Sequence, residues 1–236
     1  MATVLKNEKL TQDFFLLKVR KKNSASMGQF YMLRAWDRYP ILSRPISVFD
    51  ADGETVSFLC KVIGQGTEIL SSLREGDEIT LNGPYGHGYP AERGKIALVG
   101  GGAGVAPLYL AAKTLKKSPG TTVDLFLGFS GEEMLRREFR AVADSLTVNV
   151  GGFITDSVRP SDYDVIFACG PEIMMRVLWK KCGAERADAR VYVSLEKRMA
   201  CGVGACLGCT IPTVSGRRRV CKDGPVFRAE EVFFDE

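Results

Sequence analysis

The chain has 236 residues, enough for one large or two ordinary domains, and its 45% hydrophobic and 25% charged content is that of a globular protein. Thirty-two basic against 28 acidic side chains leave a net charge of +4, too mild to argue for nucleic acid or a membrane surface as partner. No apolar run approaches the ~20 residues that span a bilayer, and Met1 to Lys9 resemble no secretion signal, so the seven cysteines are expected to be reduced, in the cytoplasm.

Up to about residue 90 the sequence reads as short strands punctuated by turns: Phe14–Val19, Gln29–Leu33, Ile46–Phe49, Thr55–Val62 and Glu78–Leu81. Such spacing predicts a small antiparallel barrel. Arg44 and Ser47 stand at the start of one of these strands, in Arg44-Pro45-Ile46-Ser47. A guanidinium there can grip a diphosphate bidentately and the hydroxyl can reach a ring nitrogen, although an arginine at a strand end is also an ordinary surface residue. Gly64-Gln65-Gly66-Thr67 leads into a short predicted helix, Glu68–Leu73, and helix N-termini hold phosphate through free amides. His87, the only histidine, lies in the loop Asn82 to Gly88 between the two expected lobes and reads as structural or cofactor-lining.

Near Lys95 the texture changes. Apolar runs at Lys95–Val99, Val123–Gly128, Leu146–Val150, Asp164–Cys169 and Val191–Leu195 alternate with helical patterns at Ala106–Leu115 and Pro171–Lys181. This alternation predicts βα units around a parallel, doubly wound sheet. Gly100, Gly102 and Gly104 follow a strand and open a helix, the context of a dinucleotide turn, with close packing as the alternative. Cys169-Gly170-Pro171 ends a later strand, at the edge where such sheets place ligands; there Cys169 either borders a nicotinamide or is a buried structural thiol. Glu132 and Glu133, after the second strand of the sheet, favour NAD over a 2′-phosphorylated dinucleotide, while Arg136 and Arg137 keep NADP open.

From about residue 197 the chain is too short to bury a core alone, so a staple is expected. Cys201, Cys206 and Cys209 form a C-x4-C-x2-C run, followed by Cys221, with glycines 202, 204 and 208 between them. That order is the plant-type [2Fe–2S] spacing. Zinc, which usually takes cysteines as two separated short pairs, a disulfide framework and unligated core thiols are the alternatives. The run Arg217 to Arg219 reads as a solvated hairpin tip, or a docking surface beside the cluster.

Arg-Pro-Ile-Ser, Gly-x-Gly-Thr, Gly-Pro-x-Gly-x-Gly, Gly-Gly-Gly-Ala-Gly-Val-Ala-Pro and Cys-Gly-Pro occur in the order seen in the ferredoxin–NADP reductase superfamily. With Ser194 to Cys206 and Val220 to Phe227, the whole chain resembles the electron-transfer subunits of B-type dihydroorotate dehydrogenases. The resemblance implies a FAD-binding β-barrel (1–92), an NAD-binding α/β domain (93–196) and a small C-terminal [2Fe–2S] segment (197–236). It implies FAD at Arg44, Pro45, Ile46, Ser47, Lys61, Val62, Gly66 and Thr67, and cluster ligands Cys201, Cys206, Cys209 and Cys221. Ile46 departs from the tyrosine common at that place in the superfamily. It further implies a partner, a flavin-mononucleotide (FMN) subunit that oxidises dihydroorotate to orotate in pyrimidine synthesis, in a two-plus-two heterotetramer. The route would run from that flavin through the cluster and FAD to NAD+, with no side chain of this subunit acting as acid or base. Two rival readings are a flavin and iron–sulfur reductase subunit serving another partner, of the sulfide dehydrogenase or ferredoxin-linked type, and a zinc-stapled scaffold with no redox role.

Overall fold

The computed structural model describes residues 1–234; the last two residues of the expected third segment, 235 and 236, lie outside the described residues. The first lobe comprises β1 (Ala2–Lys9), β2 (Phe14–Arg20), β3 (Phe30–Arg34), β4 (Arg44–Ser47), β5 (Asp50–Ala51), β6 (Thr55–Lys61), α1 (Gln65–Ser72) and β7 (Glu78–Tyr85). All its pairings are antiparallel, in the order β4-β3-β7-β1-β2-β6-β5. In β2, Phe15, Leu17 and Val19 are buried while Lys18 and Arg20 are exposed, the alternation of a strand with one wet face.

Strand pairing alone does not close the barrel. The two edge strands, β4 and β5, are consecutive in the chain and joined by Val48 and Phe49. Val48 donates its amide to the Gln29 carbonyl (2.9 Å) and Phe49 to the Ser57 carbonyl (2.8 Å), so a two-residue strap spans the gap between the edges. The predicted strand Ile46–Phe49 therefore begins and ends two residues earlier, as Arg44–Ser47. Pro45, which cannot donate to a ladder, is tolerated because β4 lies at the edge.

The second lobe comprises β8 (Gly94–Gly101), α2 (Ala106–Leu115), β9 (Thr121–Phe129), α3 (Arg136–Ala141), β10 (Ser145–Val150), β11 (Val165–Cys169), α4 (Glu172–Ala184) and β12 (Arg190–Ser194). These five strands are parallel in the order β10-β9-β8-β11-β12, the doubly wound arrangement. β11 is buried along its whole length, as a strand covered on both faces must be. The lobes are locked together where Phe49 stacks on Tyr109 (4.3 Å between ring centroids) and Lys113 Nζ bonds both Asp50 carboxylate oxygens (2.7 and 2.9 Å). Between the lobes, Tyr89 stacks on Phe167 at 4.5 Å and donates its hydroxyl to the Ala168 carbonyl.

The remaining elements are β13 (Thr210–Thr213), β14 (Gly216–Arg219), α5 (Val220–Asp223), β15 (Val226–Arg228) and α6 (Ala229–Val232). β15 pairs antiparallel with β12 and becomes the sixth strand of the second sheet. One apolar cluster runs from Phe30 and Met32 of β3, through Val99, Ile166 and Val193, to Cys209, Val220, Cys221 and Phe227. The short C-terminal segment thus borrows its core from both lobes. The three arginines lie along β14 rather than at the hairpin tip, and Arg219 is paired with Asp223 (Nε to carboxylate, 3.0 Å). His87 is exposed, and its backbone amide donates to the Gly224 carbonyl (2.6 Å), which ties its loop to the C-terminal segment. Among the described residues no helix is long and apolar enough to cross a membrane.

Candidate functional site

Arg44 and Gly66 are far apart in sequence, and the fold lays one on the other. A Cβ placed on Gly66 would fall 2.5 Å from Arg44 Nε and 2.9 Å from Nη2. Only a residue without a side chain lets the guanidinium rest against the second position of α1. The Arg44 guanidinium also lies 5.5 Å from the Trp36 ring, and Arg34 flanks the same ring at 5.6 Å. Thr67 is buried, and its hydroxyl accepts the amides of Ile63 (2.9 Å) and Gly64 (3.2 Å) while donating to the Gly64 carbonyl (2.8 Å). That hydroxyl is fully used in folding the turn, so Thr67 shapes the helix start rather than offering a free donor. Guanidinium and helix N-terminus together make an anion cradle.

Asn7 holds the far end of α1, its side-chain amide reaching the carbonyls of Leu70 (3.0 Å), Ser71 (3.1 Å) and Leu73 (2.9 Å). Along β4, Pro45, Ile46 and Ser47 stand opposite Met32, Tyr31 and Phe30, and all four residues of the motif are half-buried. Lys61 is exposed at the end of β6, and the neighbouring Val62 donates its amide to the Asp13 carbonyl (2.7 Å).

In the second lobe β8 and β11 are neighbours although β9 and β10 intervene in the chain, so the crevice at their carboxyl ends is the switch point of the sheet. Gly100 pairs with Cys169 there. A Cβ on Gly104 would meet the Cys169 carbonyl oxygen at 2.3 Å and Gly170 Cα at 2.5 Å, so the two predicted turns touch backbone to backbone. Gly102 faces open space. Cys169 itself is buried, and that burial pushes its thiol well above the ordinary range, so the exposed edge of this turn is formed by Gly170 and Pro171. Met174, which the sequence reading passed over, reaches across both turns: Cβ atoms on Gly101 and Gly170 would meet its Sδ at 2.8 Å and its Cε at 3.0 Å. Its only sequence signal is its place in the first turn of the helix after Cys-Gly-Pro.

The four C-terminal cysteines fall into two pairs. The Cys206 amide donates to Cys201 Sγ and the Cys221 amide to Cys209 Sγ, each at 3.4 Å. The amides of Cys206, Val203 and Ala205 converge on the Cys201 thiol and draw it down to about 6, whereas burial and the adjoining Cys209 thiol push Cys221 up to about 12. Among the described residues no three side chains of ligand type gather at one point. A single tetrahedral zinc needs four donors converging on one centre, while a two-iron centre takes two protein donors on each iron. Paired sulfurs with amides aimed at them suit the second. The loop packs on the first lobe: a Cβ on Gly202 would lie 2.8 Å from Met32 Cγ and 3.4 Å from Tyr85 Cδ2. Met32 is the strand partner of Pro45, so a single strand separates the cysteine loop from the Arg44–Ser47 motif.

Comparison with known proteins accords with this geometry. A family model described as the iron-sulfur cluster binding domain of dihydroorotate dehydrogenase B matches residues 196–233. A protein of Clostridium acetobutylicum named dihydroorotate dehydrogenase B (NAD(+)), electron transfer subunit, is 45% identical over 242 residues, covering 99% of this chain and 96% of its own length. The chain belongs to that family of electron transfer subunits. A second family member, from Clostridium perfringens, is 39% identical over 98% of this chain and 96% of its own. Among solved structures, the NADH-dependent reduced ferredoxin-NADP oxidoreductase superposes with a TM-score of 0.89 at 30% identity, covering 100% of this chain and 90% of the other. The ferredoxin reductase of carbazole 1,9a-dioxygenase shares the fold over 80% of this chain (67% of its own) with a TM-score of 0.66 at 19% identity. The family's fold, a ferredoxin–NADP reductase-like pair of lobes with an iron–sulfur segment, is the one built above.

Proposed function

We propose that this chain carries electrons from the FMN of a dihydroorotate-oxidising partner, through a [2Fe–2S] cluster and FAD, to NAD+ in pyrimidine synthesis. The observation that carries the reading is the seating of Gly202 on Met32, one strand away from Arg44–Ser47. When bound, the cluster handles single electrons and FAD gathers them into the pair that a nicotinamide accepts as hydride. The chain's own task is to bind, orient and insulate. Arg44, seated against Gly66, and the first amides of α1 would take the FAD diphosphate. Ser47 and Ile46 present the strand to its ring, and Lys61 and Val62 flank it. Gly100, Gly102 and Gly104 receive the diphosphate of NAD+, with Gly170 and Met174 beside its nicotinamide. Cys201 with Cys206, and Cys209 with Cys221, would hold the cluster, each pair supplying two of its thiolates.

Cys206 is exposed and bordered by the exposed apolar side chains of Val203 and Leu207, with Arg217 and Arg218 on the nearby hairpin. This is the face we assign to the catalytic partner, in a two-plus-two assembly. Unpaired cysteines at all seven positions suit a reducing compartment, the cytoplasm.

Cys206→Ser tests the route. It is expected to abolish electron transfer from the partner to NAD+ while sparing NADH oxidation by an artificial acceptor. Unchanged coupled activity would remove the cluster from the path. The likeness to a ferredoxin-linked oxidoreductase supports one alternative, the same chemistry with another partner. Co-purification from the native host decides between them, since a dihydroorotate-oxidising flavoprotein should come down with this chain.

A further inference from the structure

Gly204 lies between Cys201 and Cys206 in the chain, and its amide is directed at the Cys221 thiol, so the loop of one cysteine pair reaches the other. A Cβ on Gly204 would meet Lys222 at 2.8 Å (Cδ) and 3.0 Å (Cβ), and Arg219 Nη1 at 3.4 Å. Two basic side chains therefore lie against the loop where the pairs meet. We propose that Arg219, seconded by Lys222, raises the reduction potential of the iron–sulfur centre from outside its ligand set; the inference rests on the [2Fe–2S] reading above.

Arg219 is held in place for that task. Asp223 accepts its Nε and Nη2 (3.0 Å each) and its backbone amide (2.7 Å), which leaves Nη1 as the guanidinium nitrogen turned to the loop. The ion pair is thus a dipole with its positive end toward the cysteines. The Asp223 carboxylate, and after it the Cys221 and Cys209 thiols, favour the charged guanidinium, so its charge is felt at sulfurs of this site. Arg218, one residue earlier on β14, belongs to the other face of the strand, beside Ser215 (Nη2 to Oγ, 3.3 Å).

Reduction places one electron from the partner's flavin on a centre that is already an anion, with no bond made or broken and no proton taken up. A fixed positive charge beside the centre favours the reduced form more than the oxidised one. All-cysteine ligation holds such centres toward low potential, and Arg219 and Lys222 work against that bias.

The test is a redox titration of the whole subunit, loaded with FAD and cluster, read by the paramagnetic signal of the reduced cluster. Iron and sulfide content checks that each variant keeps it. Arg219→Gln is expected to lower the reduced-to-oxidised ratio at fixed potential about tenfold, or ~59 mV for one electron. Arg219→Lys, which keeps the charge, should stay within about threefold of the parent. Arg218→Gln removes the same charge from the other face and should stay within about twofold. The proposal is overturned if Arg219→Gln stays within about twofold of the parent, if Arg219→Lys falls as far as Arg219→Gln, or if Arg218→Gln does. Where Arg219→Gln loses its cluster, Lys222→Gln decides: a drop of about threefold or more supports the proposal and a smaller one overturns it. A parent that holds iron and sulfide but gives unresponsive variants leaves the redox reading standing, whereas a parent with no such signal on reduction overturns both.

Discussion

Gly66→Ala separates cofactor binding from folding. The added Cβ would lie 2.5 to 2.9 Å from three guanidinium atoms of Arg44, well inside the ~3.5 Å at which such atoms begin to attract. The obstacle is the end of a flexible side chain, so the arginine swings away by about 1 Å and the backbone stays. Gly66 lies inside α1 with no positive φ, where alanine is the better helix former by about 0.5 to 1 kcal/mol. With Arg44 assigned to the FAD diphosphate, displacing the guanidinium should cost a charge-assisted bond of about 1.5 to 3 kcal/mol, a loss of roughly 10- to 150-fold in affinity. The two effects have opposite signs. Flavin-fluorescence titration of the apoprotein should show weaker FAD binding while urea denaturation of the same apoprotein shows equal or greater stability. An FAD affinity within about twofold of the parent would refute the assignment of Arg44 and Gly66 as the diphosphate cradle.

Removing the cap on the other end of the same helix acts on folding instead: Asn7→Ala strips bonds from three carbonyls and should cost about 1 to 2 kcal/mol, or about 2 to 8 °C in melting temperature. Gly104→Ala drives a Cβ into the Cys169 carbonyl, an obstacle made of backbone, so a loss of about 1 to 3 kcal/mol in stability should accompany weaker NADH binding by fluorescence titration. Asp144 accepts the Val123 amide (2.9 Å) and the Lys116 ammonium (3.2 Å), which hold its carboxyl below the usual range. Because its pKa is lower in the folded chain, the stabilisation is complete above the unfolded value of about 4 and is lost as pH falls through the folded one. Asp144→Asn should therefore lower the urea midpoint slightly at neutral pH, the residue being partly exposed, and the gap should close in strong acid.

The sequence was most readable where a residue's role depends on its immediate neighbours. β11 announces itself because a strand covered on both faces must be apolar throughout, and the strand–glycine–helix turn at Gly100 because its context is local. The cysteine spacing was legible for the same reason. What escaped depends on distant segments. β1 went unseen because charge crowds its second half, and its partners β2 and β7 are set by tertiary pairing. That Gly66 must be bare for the Arg44 guanidinium to sit against it follows only from where β4 brings that side chain. The arginine run suggested a tip because charge density reports exposure and says nothing of register; β14 carries those residues along its length. The pairing of Cys201 with Cys206, and of Cys209 with Cys221, likewise needed the folded loop.

β15 gives the C-terminal segment a consequence beyond its cysteines. Because this strand is stitched to β12 and its neighbours sit under β3, the tail cannot swing as a tethered shuttle; its reach toward either lobe is fixed when the polypeptide folds. Spacing between redox centres is thereby a constant of the architecture, set without any encounter step. Cutting the chain after Ser194 would do more than delete a ligand loop: it would leave the rim of a hydrophobic sheet bare, with Val191 and Val193 beside unanswered backbone groups, an invitation to self-association.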